Sequence, residues 1–228
     1  MVSIFVAGSH TDVGKTYAAC ALIGAARARG MSVDALKPLV SGLDPDDWAD
    51  SDPGQLLKAL GRPLTQATLT AISPWRYRAP LAPPMAAALE GRLVTLAEVA
   101  AFCRASLEAS TASLTLVEGV GGVMSPVAED ATCLDLIHAL GAPAVLVGGA
   151  YLGSISHTLT AAAVLVARGI VVRAIVVSEG DDPSAPDFRQ TLASLSQFAS
   201  APVVAAPRGQ TAWAGDVLDL RISGAGAG

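Results

Sequence analysis

Charge is scarce in this chain. Only 15% of its 228 residues are charged, aromatic residues make up 4%, and cysteine occurs three times. The formal net charge is −5, and the Lys and Arg residues form no basic run with interleaved aromatics. That excludes nucleic acid as the main partner, because tracking a phosphate backbone needs clustered positive charge. Cys20, Cys103 and Cys133 are odd in number and far apart. They read as small buried hydrophobes in a reducing compartment rather than as a disulfide framework or metal site. Long apolar runs are also missing, although mean hydropathy is +0.49. "APAVLVGGAYLG" is too short to cross a bilayer, and Arg168 interrupts "TLTAAAVLVARGIVV". The opening "VSIFVA" has neither the length nor the basic lead of a signal segment. The expectation is a soluble cytoplasmic protein whose partner is neither a membrane nor a nucleic acid.

What the chain has instead is 52% hydrophobic residues in a regular rhythm. Short apolar, β-branched runs at 2–7, 33–38, 113–119, 142–149, 170–178 and 201–207 read as strands. Helical spacing runs over 14–30, 132–141, 155–169 and 186–200. Strands alternating with helices predict right-handed crossovers and a doubly wound α/β fold, with a mostly parallel sheet covered by helices on both faces. The rhythm breaks at 39–112, which is rich in Pro and carries four of the ten aromatics; it is read as an insertion that builds a site. No linker or internal repeat divides the chain. One domain is expected over 1–222, followed by a flexible Gly/Ala tail at 223–228.

The candidate chemistry begins at "GSHTDVGKT", residues 8–16, between the first strand and the first helix. That is the context of a phosphate-binding loop, in which backbone N–H groups and a helix N-terminus wrap phosphate oxygens. Gly14 allows close approach, Lys15 is placed for the β- and γ-phosphates, and the Thr16 hydroxyl for Mg²⁺. In "LKPLVSG", Lys37 closes the second strand on the same edge and Ser41 follows. A second lysine there suits charge developing on a transferring phosphoryl group, whereas a lone strand-end lysine is commonly just solvated. In "DSD", 50–52, an acidic residue reads either as a helix N-cap or as a metal ligand. "LVEGVGG" ends an apolar strand in Glu118 and follows it with Gly119, Val120, Gly121 and Gly122. A strand ending in a turn accounts for the glycines but not for a carboxylate at the apolar end.

Taken together, "GSHTDVGKT", "KPLVSG", "DSD", "LVEGVGG" and "YLGSISHTLT" resemble the dethiobiotin synthetase family from Val2 to about Pro207. The resemblance implies a phosphate-loop NTPase-like fold and closure of a cyclic urea from 7,8-diaminopelargonic acid, CO₂ and ATP with Mg²⁺. A carbamate would be phosphorylated and the second amine would expel phosphate. It implies Lys37, Lys15 and Thr11 as catalytic residues, and Thr16, Asp52 and Glu118 as metal ligands. Nucleotide contacts would come from Asp12, Val13, Gly14, Lys15, Thr16, Tyr17, Asp52, Glu118, Gly119, Val120 and Gly121, then Ser178, Glu179, Pro207, Arg208 and Gly209. Substrate contacts would come from Thr11, Asp12, Lys37, Ser41, Gly153 and Ser156. The resemblance places the last two on a loop that would enter the neighbouring subunit's site in a homodimer.

The chain departs from the family where Ser156 replaces an Asn and where Ser178 and Glu179 replace the Asn-Asp that meets adenine. The second change makes other nucleoside triphosphates candidates beside ATP, since a serine lacks the paired donor and acceptor of an amide. Two alternatives share the loop style. A deviant phosphate-loop switch or partitioning ATPase would carry a lysine where His10 stands, and a cobyrinate-type amidating synthetase would need a glutaminase domain for which the chain has no room.

Overall fold

The computed structural model describes residues 2–220; the tail expected at 223–228 lies outside them. In chain order the elements are β1 (Val2–Gly8), α1 (Lys15–Ala28), β2 (Val33–Leu36), β3 (Leu39–Ser41), α2 (Asp52–Leu60), α3 (Gln66–Ile72), β4 (Trp75–Tyr77), α4 (Pro83–Leu89), α5 (Leu96–Ala109) and β5 (Leu114–Glu118). They continue as β6 (Pro126–Ala128), β7 (Ala131–Thr132), α6 (Cys133–Leu140), β8 (Ala144–Gly149), α7 (Ser154–Ala167), β9 (Val172–Ser178), α8 (Phe188–Phe198), β10 (Val203–Ala206) and α9 (Trp213–Asp219).

The six expected strands form one sheet in the order β10-β9-β8-β1-β5-β2, and every pairing in it is parallel. β1 lies inside the sheet, and its Ile4, Phe5, Val6 and Ala7 are completely buried. A strand covered on both faces needs apolar side chains on both, which is why "SIFVAG" does not alternate. From β1 the chain runs to β2 on one side, returns through β5, and crosses to β8 on the other. The carboxyl end of β1 therefore opens at a topological switch point, the crevice where ligands bind in such sheets.

The insertion at 39–112 is more ordered than its sequence suggests. It holds four helices, α2 to α5, and a parallel ribbon in which Leu39 pairs with Trp75 and Ser41 with Tyr77. Its three-residue strands and the seven-residue helices α3 and α4 are too short to display a period, whereas α5, at 14 residues, is not. α5 is anchored by a capping box in which the Thr95 side chain accepts from the Glu98 backbone N–H while Glu98 reaches back to Thr95. α2 packs on α1 and β2, which brings the start of α2 to the carboxyl edge of the sheet.

Candidate active site

The loop from β1 to α1 turns through left-handed backbone at Asp12 (φ 57°) and Gly14 (φ 88°). A Cβ on Gly14 would stand 2.7 Å from the Ser178 hydroxyl, so both the dihedral and the space require glycine. α1 starts at Lys15 and turns its unpaired N–H groups toward the loop. Lys15 is buried, and its Nζ donates to the His10 carbonyl at 3.3 Å. Burial and the neighbouring Lys37 push its pKa below the usual lysine range.

Two strand ends and one helix start meet beside this loop. Glu118, the last residue of β5, is 1% exposed, and so is Lys37, one residue beyond β2. Lys37 Nζ lies 2.7 Å from Glu118 Oε1, 2.7 Å from Asp52 Oδ2 and 2.9 Å from the Gly119 carbonyl oxygen. Thr16 Oγ1 is 2.7 Å from both Asp52 Oδ1 and Glu118 Oε1. Burial acts to lower the Lys37 ammonium, but the two carboxylates hold it well above the usual lysine range. Burial acts against ionised Asp52 too, yet Lys37 and Thr16 keep its carboxyl below the ordinary value. Asp52 is not the cap of α2. Ser51 holds that position, its hydroxyl turned to the Trp48 carbonyl at 2.6 Å, and Asp52 points from the first turn into the cluster.

The cluster's chemistry suits a hard divalent cation. Thr16 has one hydroxyl proton for two carboxylate oxygens, and Glu118 Oε2 is buried with no hydrogen-bond partner. Hydroxyl and carboxylate oxygens are the donor set that Mg²⁺ takes, together with substrate phosphates.

A cavity of about 550 Å³ opens from the cluster, lined by Thr11, Asp12, Lys15, Lys37, Ser41 and Asp52. The Ser41 hydroxyl is buried without a partner. Val120 and Gly121 close one side and Pro80–Pro83 the other. The proline wall belongs to "RAPLAPP", which the sequence marks as unusual without indicating which way it faces. A Cβ on Gly119 would meet Phe5 and Cys133 at 2.9 and 3.0 Å, so internal packing requires glycine there.

On the other side of Asp12, a cavity of about 280 Å³ is lined by Val13, Gly14, Ser178, Glu179, Asp181 and Arg208. Glu179 Oε2 accepts the Arg208 backbone N–H at 3.0 Å, and the Arg208 guanidinium pairs with Asp181 at 3.1 Å. From behind, the Tyr17 hydroxyl reaches the carbonyls of Pro207 and Gln210. Gly209 (φ 72°) forms the tight turn between them. Ser178, Glu179, Tyr17 and 207–209 thus gather around one rim. Its side chains present oxygen acceptors, while its guanidinium is already paired.

Gly153 and Ser156 are not brought to the Lys37 cavity. They line a separate hollow of about 650 Å³ at the start of α7, with Leu152 and Phe198. Sequence reasoning also left the histidines without contacts. The His10 and His157 rings lie parallel with centroids 5.8 Å apart, and the Tyr151 hydroxyl meets His157 Nδ1 at 2.9 Å.

With this geometry in view, residues 2–207 match a family model described as an AAA domain. The ATP-dependent dethiobiotin synthetase BioD of Phenylobacterium zucineum is 56% identical over 94% of this chain and 92% of its own. Its counterpart in Caulobacter vibrioides (strain NA1000 / CB15N) is 54% identical over 98% of this chain and 100% of its own. Among solved structures, the signal recognition particle receptor FtsY of Elizabethkingia anophelis matches with a TM-score of 0.55 at 14% identity, covering 96% of this chain and 64% of that one. The MinC:MinD cell division protein complex of Aquifex aeolicus matches with a TM-score of 0.55 at 13% identity, covering 95% and 86%. These two likenesses establish the phosphate-loop NTPase fold alone. The relatives' identities and near-complete coverage establish that this chain belongs to the dethiobiotin synthetase family.

Proposed function

We propose that this chain forms dethiobiotin from 7,8-diaminopelargonic acid, CO₂ and ATP. The observation that carries the reading is the meeting of Lys15, Lys37, Thr16, Asp52 and Glu118 at the mouth of the Thr11–Ser41 cavity. One amine adds to CO₂ and loses a proton to give a carbamate. A carbamate oxygen takes the γ-phosphoryl group and ADP leaves. The second amine attacks the carbonyl carbon, loses a proton, and expels phosphate as the ring closes.

Such a sequence asks for cations and positioning more than for a general base, because each intermediate is an anion or an activated anhydride. Lys15 serves the β- and γ-phosphates and Lys37 the carbamate side. Thr11, Asp12 and Ser41 hold the diamine, and the backbone from Val13 to Thr16 cradles phosphate. Thr16, Asp52 and Glu118 are the residues to hold Mg²⁺, which supplies neutralising charge on the nucleotide's phosphates when bound. Tyr17, Ser178, Glu179 and 207–209 frame the base.

The same reading makes the protein a homodimer, in which the β8–α7 loop of a second copy brings Gly153, Ser156 and a helix N-terminus to the substrate's carboxylate tail. Leu152 on that loop, 90% exposed, and Phe198, 67% exposed, line the same hollow and give it an apolar character suited to a covering surface. A single cytoplasmic domain whose insertion at 39–112 builds the substrate side completes the proposal. No helix among the described residues is long and apolar enough to cross a membrane.

The test is phosphate release by purified protein with ATP and Mg²⁺. Release that requires both diamine and bicarbonate supports the synthetase. Release that continues without either refutes it and favours a switch ATPase.

A further inference from the structure

A count of donors exposes a conflict at Lys37. An ammonium carries three N–H donors. In the structure all three are spent inside the protein, on Glu118 Oε1, Asp52 Oδ2 and the Gly119 carbonyl oxygen. None is left for a phosphate or carbamate oxygen, although Lys37 lines the cavity where one would lie. The acceptors tell the complementary story: the Thr16 hydroxyl faces two carboxylates with one proton, and Glu118 Oε2 has no partner. The lysine head sits where the ligands of a divalent cation converge.

We propose that Lys37 is the resident counter-ion of the metal site. A divalent cation and the Lys37 ammonium compete for Asp52 and Glu118, and arrival of the cation frees Lys37 for an anion in the cavity. Charge balance drives the exchange. Of these three groups, two carboxylates with one ammonium leave one negative charge, whereas a divalent cation neutralises both carboxylates and leaves Lys37, beside the buried Lys15, as surplus positive charge for an anion in the cavity. Lys37 cannot leave first, because a buried carboxylate stripped of its partner is strongly destabilised. Lysine suits the task as a compact charge on a flexible stem, whereas a guanidinium forks and holds carboxylates bidentately. The inference rests on the metal ligands assigned under the proposed function, and the two fail separately.

Titration calorimetry with Mn²⁺ on the nucleotide-free protein tests the competition. Lys37→Met should bind Mn²⁺ at least about tenfold more tightly than the wild type, or about 1.4 kcal/mol, because the competitor is gone. Lys37→Arg, which keeps the positive charge, should bind no more tightly than the wild type. Equal affinity in the wild type and Lys37→Met overturns the proposal. Recovery of a poorly folding Lys37→Met by Mn²⁺ during refolding supports it.

The wild type gives a second readout that decides the matter if the variant does not fold. Lys15, Lys37 and Lys58 are the chain's three lysines, so lysine ¹³Cε labelling yields three assignable NMR signals. Mg²⁺ added to saturation with ADP should move the Lys37 signal beyond its position with ADP alone. A Lys37 signal that Mg²⁺ leaves in place overturns the exchange. A protein that makes dethiobiotin with a stationary Lys37 refutes the exchange only. One whose Lys37 responds but which makes no dethiobiotin refutes the function only.

Discussion

At the phosphate end of the proposed nucleotide site, Lys37 and Glu118 are each 1% exposed and hold one another at 2.7 Å. At the base end, Arg208 and Asp181 pair at 3.1 Å with side chains 58% and 77% exposed. Both ends use opposite charges, but in different dielectrics. Buried charges couple strongly and cost much when one partner is lost, whereas exposed pairs contribute little. The phosphate end is therefore a preorganised charge cluster, and the base end is an adjustable rim. Changes at the first should disable the reaction, while changes at the second should retune it.

The largest predicted effect tests the buried end. Lys15→Ala and Lys37→Ala should each reduce dethiobiotin formation by at least about 10²–10³-fold, the usual loss when a preorganised charge is removed from a transition state. They should differ in stability. Lys37→Ala strands two carboxylates and should lower metal-free unfolding free energy by about 3–5 kcal/mol. Lys15, whose one hydrogen bond is a 3.3 Å contact to a carbonyl, should cost far less. Denaturant titrations in EDTA check this, and equal losses would dissolve the distinction between the two lysines.

How much of this comparison the sequence showed follows from the same physics. Lys37 and Glu118 were readable because they follow or terminate buried strands, whose apolar runs fix their ends within a residue or two. Lys15 and Thr16 were readable because a phosphate-loop motif leads from the first strand into the first helix. Asp52 was readable only as an ambiguous acid; a cap and a ligand look alike until the direction of the side chain is known. The wall at Pro80–Pro83 and the ribbon at Leu39–Ser41 were hidden because short elements carry no period. The link from Glu179 to the Arg208 backbone joins residues 29 apart, across α8 and β10, and no local pattern encodes it.

A smaller effect, in pH, belongs to the partly exposed member of the cluster. Asp52 has a folded-state pKa below its ordinary 3.8, so its stabilisation is complete above that value and is lost as pH falls through the lower folded one. The part of the stability gap between wild type and Asp52→Asn that Asp52 itself contributes should shrink as pH falls below about 4. A gap that opens only on further acidification would contradict the sign.

The smallest effect tests the rim. Glu179 offers a base edge acceptors but no donors, which favours bases bearing an exocyclic amine. The wild type should therefore use ATP and CTP better than UTP. Glu179→Gln, which adds donors, should narrow that ratio of kcat/KM by up to about tenfold, the scale of one hydrogen bond. An unchanged ratio would assign base selection to the backbone around Pro207.

The central claim is that the buried cluster drives carboxylation and ring closure. Its most direct test is the purified protein with diaminopelargonic acid, ATP, Mg²⁺ and ¹³C-bicarbonate, followed by mass spectrometry. The account predicts dethiobiotin carrying a single ¹³C, at its urea carbon, with one phosphate released per molecule formed. Phosphate release without labelled dethiobiotin would contradict it.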